Sequence, residues 1–308
     1  MAGVKQRLIA VYEKLYEVKM HWEDYRTRKQ IGTPNILTID ETIDYLAEKK
    51  CSVSRFGDGE LKIACGNRIR FQDHDPELSA RLREILRSKD ENCLVCLTDT
   101  FENIHWMVPL AYRYTWRIFY QYRRQWTELL DLNKQYGNAF MSRFYIDRKD
   151  KSDSGRLFQK LKTLWDGEKI VFIEGEQSRL GYHNDLFSNA ASVERILCPA
   201  QDAFSSYNEI LNRASELEKD KLILIALGPA ATVLAYDLSR MGYRALDIGH
   251  VDIEYEWYLR GATEKIKIED KYTSEAKGGS AVNTHADDEF QRQVIGHIHS
   301  KKEGPGSV

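Results

Sequence analysis

Ser52-Val53-Ser54-Arg55-Phe56-Gly57-Asp58-Gly59-Glu60 is a β-like run that breaks into two glycines alternating with two carboxylates. In an extended loop, residues two apart point to the same side. Asp58 and Glu60 are therefore expected to converge on one cation or one diphosphate–metal pair. Gly57 and Gly59 leave room for a ligand against the backbone and permit positive φ. Taken alone, the nonapeptide reads first as an acidic turn, because Asp-Gly is common hairpin chemistry.

The surrounding pattern places this run in a larger sheet. Upstream, residues 4–27 have helical periodicity, with Leu8, Val11, Tyr12, Leu15 and Val18 as the apolar stripe. Thr38 and Glu41 form a capping box that opens a helix to about Lys49. A helix is expected after Glu60 and another from Pro76, then a strand at Cys93–Leu97. Residues 102–133 read as a long aromatic-rich helical region with Pro109 near its start, more core than sugar platform. Ala139–Ile146 reads as a strand and residues 154–165 as a helix. Lys169-Ile170-Val171-Phe172-Ile173-Glu174 is apolar on both faces, as in a buried parallel sheet. A short helix at Asn184–Ala190 and strands at Val193–Cys198, Lys221–Leu227 and Arg244–Ile248 follow, with helices between and after them. The alternation predicts an α/β, Rossmann-like fold with a mainly parallel sheet of six or seven strands flanked by helices. Residues 1–49 form an N-terminal helical segment, 50–272 the main domain, and 273–308 a polar, flexible tail.

Composition narrows the function. The 308 residues carry 45 Lys+Arg against 47 Asp+Glu, a net charge of −2, which gives no support for nucleic-acid binding. No apolar run approaches the ~20 residues of a membrane span, and Met1–Met20 lacks a signal-peptide core. The expected location is the cytoplasm, either free or peripheral at the inner face of the membrane. A homodimer stays open. Five cysteines read as reduced, buried thiols. Cys93 and Cys96 would point to opposite faces of a strand, which argues against a zinc site.

Ligands of open α/β sheets collect beyond the carboxyl ends of strands. There the sequence sets Asp58 and Glu60, Asp99, the Gly175–Gly181 loop with Arg179, Gly228-Pro229, and Gly249-His250-Val251-Asp252. Gly228 begins a helix whose N–H groups can meet an anion. Arg179 and Arg143 offer planar forks for phosphate or carboxylate. There is no G-x-G-x-x-G, G-K-[ST] or G-x-S-x-G motif.

Several ordered blocks carry a family resemblance: Arg55–Glu60, Ser142-Arg143, Glu174-Gly175 with Ser178–Gly181, Asn184–Phe187, Arg195–Pro199, Ala226–Pro229, and Asp247–Asp252 with Glu254–Trp257. Over about residues 50–257 the chain resembles the GT-D fold glycosyltransferases, first catalogued as a domain of unknown function in bacterial surface-glycan loci. The resemblance implies a transferase that moves a hexose, glucose or a relative, from a UDP-sugar to a hydroxyl of a glycan or glycosylated protein. It implies a D-x-E motif, Asp58 and Glu60, that binds the metal-bound nucleotide, with Mn²⁺ or Mg²⁺ as the metal. Arg55, Phe56, Gly57, Gly59, Arg179, Asp185 and Gly228 would then line the donor, and Arg143 the acceptor. Glu174, Asp185, His250 and Asp252 are candidates for a base. Phe144 and Gln177 depart from residues frequent in the family.

Two rival readings remain. One is a nucleotide-sugar-binding scaffold without catalysis. The other is a Rossmann-like S-adenosylmethionine-dependent methyltransferase with Phe56–Gly59 as its cofactor loop. That loop lacks a third glycine, and no acidic residue ends the next strand at Leu97.

Overall fold

The computed structural model describes residues 2–69, 72–282 and 286–300. Helix α1 (Ala2–Ile31) precedes a short strand β1 (Asn35–Ile36). Helix α2 (Ile39–Lys49) starts as its sequence dictates: Thr38 Oγ1 accepts from Glu41 N at 3.2 Å, and Glu41 Oε2 accepts from Thr38 N at 2.8 Å. Strand β2 (Ser52–Phe56) runs into α3 (Asp58–Ala64), α4 (Pro76–Arg87) and β3 (Cys93–Leu97). Asp75 caps α4 by accepting from Leu78 N at 3.0 Å, with Pro76 in the first turn.

Helix α5 (Pro109–Leu129) is followed by β4 (Gln135–Asn138), α6 (Ser154–Lys162), β5 (Lys169–Gly175) and β6 (Ser192–Cys198). Then come α7 (Tyr207–Ser215), β7 (Leu222–Ala226), α8 (Pro229–Arg240), β8 (Arg244–Asp247) and α9 (Val251–Leu259). Helix α10 (Asp288–Gln293) and β9 (Val294–His297) complete the described chain.

Among the described residues, nine parallel strands form one sheet in the order β1-β4-β3-β2-β8-β7-β5-β6-β9. The class is as expected; the strands beyond the six correctly placed are β1, only two residues long, β4 and β9. Strand β5 is covered on both sides: Val171 and Ile173 enter one core, Ile170 and Phe172 the other. The first core joins Phe56, Leu82, Trp126, Val233 and Leu234 beneath α3, α4, α5, α7 and α8. The second joins Ile43, Leu46, Phe158, Val251 and Trp257 beneath α2, α6 and α9. Each fully buried side chain of this size contributes ~1.5–3 kcal/mol, which fixes the two layers before any polar contact matters.

Four expectations need correction. Ala139–Ile146 is no strand: β4 ends at Asn138, whose side chain accepts from Phe140 N at 2.9 Å and starts a 3₁₀ turn over Ala139–Ser142. Asn184–Ala190 is a series of turns, because the Asn184 side chain is drawn down to Asp252 and Glu256. The tail from 273 is structured through much of its length: β9 pairs with β6, and Phe290 and Ile298 are buried. Residues 301–308 of that tail lie outside the described residues. On α1, Leu15 and Val18 are exposed, while Met20 faces the body of the protein. The stripe residues Leu8, Val11 and Tyr12 have side chains outside the described set.

Candidate active site at the switch between the central strands

Strands β2 and β8 lie side at side in the middle of the sheet, with Val53 opposite Leu246. From β2 the chain passes into α3, whose Leu61, Ile63 and Ala64 enter one core. From β8 it passes into α9, whose Val251, Ile253 and Trp257 enter the other. The two connections leave to opposite faces, so a crevice opens at the carboxyl edge between them.

Asp58 and Glu60 stand at that crevice, but not as an extended loop. Gly57 is the N-cap of α3, so both carboxylates belong to a helix first turn, where residues two apart diverge. Glu60 folds back and accepts from Gly57 N at 2.8 Å. Asp58 turns outward, and its Oδ2 accepts from Lys62 Nζ at 2.8 Å and from the Tyr114 hydroxyl at 2.9 Å. Glu60 is half-buried. Burial and the nearby Asp247 carboxylate push it up to about 7. Phe56 is buried in the core, so only its backbone can face a ligand.

One buried pair builds the crevice floor. Arg55 Nη2 donates to Asp247 Oδ1 at 2.9 Å, its Nε to the Asp247 carbonyl at 2.7 Å, and its Nη1 to the Ala139 carbonyl at 3.2 Å. The Arg55 amide donates to Asp247 Oδ2 at 3.3 Å. From α8, the Thr232 hydroxyl donates to the Arg55 carbonyl at 2.9 Å, and Ser54 Oγ donates to the Thr232 carbonyl at 2.7 Å. Gly249 lies against this pair with φ +47°, and a Cβ there would sit 2.0 Å from Arg55 Nη2. A glycine is required at this close approach.

His250 follows as the N-cap of α9 and is exposed to solvent, with protein packed around its ring. That surrounding mass pushes its imidazole below the usual range, Glu275 opposes the shift, and Arg143 and Arg55 add to it. Arg143 is held by carboxylates: both terminal nitrogens donate to Glu275, and Nη2 also reaches Asp147 Oδ2 at 3.0 Å.

Residues 53–276 match the sequence pattern of the GT-D glycosyltransferase fold family. The chain belongs to that family. The Probable glycosyl transferase Gly of Streptococcus gordonii is 41% identical over 267 residues, covering 86% of this chain and 39% of that protein. Glycosyltransferase GlyD of Streptococcus pneumoniae is 36% identical over 298 residues, covering 95% of this chain and 35% of that protein. The chain thus spans less than half the length of either relative. A solved structure described as the highly conserved domain of unknown function 1792 with a distinct glycosyltransferase fold superposes with TM-score 0.85 at 40% identity. It covers 90% of this chain and 100% of its own. A glycosyltransferase of Streptococcus sanguinis superposes with TM-score 0.82 at 40% identity, over 87% of this chain and 100% of its own.

The GT-D fold divides the expected site residues in two. Arg55, Gly57, Asp58, Gly59, Glu60 and His250 gather at the β2–β8 crevice. Gly228 caps α8 at the end of β7, beside β8, with φ +54°. The others hold the neighbouring loop. Glu174 is fully buried, ion-paired with Arg195, and accepts from Leu180 N at 2.7 Å. Asp252 is buried against Lys271 Nζ at 2.7 Å and accepts from Gly181 N at 2.9 Å. Arg179 is buried with φ +50° and donates to the Asp270 carbonyl at 3.1 Å. Asp185 takes the Tyr255 hydroxyl at 2.7 Å and Lys162 Nζ at 3.3 Å. These contacts fasten the 175–190 loop to α6, α9 and the 270 segment.

Sequence reasoning passed over Lys62 and gave Tyr114, Asp247 and Thr232 no place beside Asp58 and Arg55. Lys62 was findable: it lies four residues after Asp58 on the same helix. Asp247 was visible as an acid closing an apolar strand. Tyr114 comes from α5, and no local pattern ties it to Asp58.

Proposed function

We propose that this GT-D glycosyltransferase moves a hexosyl group from a UDP-sugar to a hydroxyl of a glycan or glycosylated-protein acceptor, at the β2–β8 crevice. The observation that carries this reading is the half-exposed Asp58 carboxylate at the topological switch, backed by Lys62 and Tyr114. A diphosphate entering there meets a charge-balanced set that can rearrange. Lys62 can turn from Asp58 to a phosphate, which an ammonium binds as a point charge. Asp58 is then available to a cation.

The fit to Mn²⁺ or Mg²⁺ follows from the donor set. Among the described residues, no three His, Cys, Asp or Glu side chains are grouped to hold a metal unaided. Hard cations of this kind are commonly bound by one or two carboxylates plus substrate phosphates. Asp58, with Glu60 behind it, would hold such a cation jointly with the diphosphate. When bound it would neutralise charge developing on the leaving phosphate.

The protein's own residues do the rest. Arg55 and Asp247 brace the floor through their ion pair. His250 is the one base candidate that is solvent-accessible at this crevice, and its lowered basicity keeps the imidazole neutral and able to accept a proton at pH 7. An inverting reaction would use it on the acceptor hydroxyl; a retaining one would not.

A thermal-shift panel of nucleotide sugars, with and without Mn²⁺, tests the reading. Stabilisation by one UDP-sugar, larger with Mn²⁺ and reduced by Asp58→Asn, is expected. Binding without turnover across acceptor mixtures would favour the scaffold. Stabilisation by S-adenosylmethionine and not by UDP-sugars would overturn the assignment.

A further inference from the structure

Helix α1 meets the protein with its polar side. Asp24 pairs with Arg123 of α5, Glu23 Oε2 accepts from the Tyr120 hydroxyl at 2.6 Å, and His21 stacks on Trp116 at 4.2 Å between centroids. Among the described residues, the opposite side is exposed and packs against no other element. Leu15, Val18, Trp22 and Tyr25 are 65%, 64%, 58% and 50% exposed. Their spacing of three, four and three residues puts them on one stripe. The sequence continues that spacing upstream at Leu8 and Val11.

The borders of the stripe carry one sign of charge. Lys19 and Arg26 are exposed beside it, and Lys29, exposed and four residues after Tyr25, stands at its end. The Arg26 guanidinium lies 4.6 Å from the Trp22 ring centroid and Lys29 Nζ 5.9 Å from that of Tyr25. Lys19 is 3.7 Å from Glu23 at the border with the α5 side. The described carboxylates of this stretch, Glu23 and Asp24, are committed to α5.

An apolar stripe with Trp and Tyr, accompanied among its exposed described neighbours by cations, has the chemistry of a helix lying in a lipid interface. A second copy of the same stripe would bring the cations of both helices together, which disfavours self-pairing. We infer that α1 docks this face on an anionic phospholipid surface. The aliphatic residues enter the acyl boundary, the aromatic rings sit at headgroup depth, and Lys19, Arg26 and Lys29 meet the lipid phosphates. The glycosyltransferase body then hangs from α5, with the docking independent of which sugar is transferred.

Co-sedimentation of the full chain with vesicles tests this. Vesicles of phosphatidylglycerol and phosphatidylcholine should retain the protein, and pure phosphatidylcholine should not. Each cation near an anionic leaflet strengthens partitioning about fivefold, so Lys19→Glu/Arg26→Glu/Lys29→Glu should weaken it at least about a hundredfold. Leu15→Glu/Trp22→Glu should abolish it, while Leu259→Glu, an exposed apolar residue on α9, should leave it unchanged. Far-UV circular dichroism and the melting temperature verify folding of each variant. Equal retention by both vesicle types overturns the inference, as does failure to bind either. A dimer that the Leu15→Glu/Trp22→Glu variant dissociates, without lipid binding, would assign the face to a second copy. Binding to poly-glutamate but not to vesicles would assign it to an acidic protein.

Discussion

Replacing Gly249 by alanine probes the crevice floor directly. Two costs arise. An L-residue at φ +47° carries backbone strain of about 1 kcal/mol. The new Cβ would also stand 2.0 Å from Arg55 Nη2, so the guanidinium must leave. It would give up its 2.9 Å bond to Asp247 Oδ1, and the Asp247 carboxylate is almost wholly buried. Breaking a buried pair from one side costs about 3–5 kcal/mol, and the lower end applies here because Arg55 keeps some access to water. The sum is about 4 kcal/mol. Gly66→Ala is the control: φ is +84° with nothing within 4 Å, so strain alone should cost about 1 kcal/mol. In an Arg55→Ala background, Gly249→Ala should likewise fall to about 1 kcal/mol, a coupling of about 3 kcal/mol. Urea midpoints at unchanged m compare the four variants with wild type. Equal costs for Gly249→Ala with and without Arg55 would refute the reasoning.

Other outcomes follow from the same geometry. Asp58→Asn and Glu60→Gln should each cut sugar transfer at least ~100-fold without lowering the melting temperature; full metal-dependent transfer by the double variant would sink the site assignment. Glu60 is raised from 4.5 to about 7 in the folded protein, so folding holds its proton more tightly. Stability from this group is present below pH 4.5 and is lost, by about 3 kcal/mol, as pH rises to about 7. The difference between wild-type and Glu60→Gln pH–stability curves isolates it, and Mn²⁺-dependent donor binding should strengthen over the same rise through pH 7. Gly59→Ala has room, its Cβ meeting Ile69 at 3.5 Å, so it should melt no lower than wild type, while calorimetry shows weaker donor binding if a ligand uses that space. Lys271→Met should destabilise by about 3–5 kcal/mol in urea, since Asp252 and Glu256 would lose their shared buried cation.

The fold was legible because its signals are local and redundant. The Thr38–Glu41 capping box and the doubly apolar Ile170–Ile173 run each name their element without help from the rest of the chain. The strand missed at the carboxyl end, β9, lacks such a signal: Val294–His297 contains a glycine and a histidine and is held by its pairing with β6. The candidate site was legible as a set of strand ends and not in its geometry. Asp58 and Glu60 do follow the carboxyl end of β2, yet α3 begins at Asp58, one turn earlier than the glycines suggested. A helix that starts inside a D-x-E run sends its carboxylates apart. Glu174 and Asp252 read as base candidates because acids at strand ends look alike in sequence; in the fold they are buried in ion pairs with Arg195 and Lys271. Those partners are 21 and 19 residues away, beyond any periodic pattern.

The pairing of β9 with β6 bears on how the domain can be handled. Arg195 on β6 reaches Gln293 at 2.7 Å, lies 4.4 Å from the Phe290 ring centroid, and also holds Glu174 and the Leu180 carbonyl. The family match ends at residue 276, before any of these C-terminal partners. A gene fragment trimmed to that point would encode a protein with β6 as a raw sheet edge, open to strand addition by other chains. It would also leave Arg195 without its outer contacts, loosening the loop that Glu174 anchors. Expression boundaries for this domain belong after Ile298.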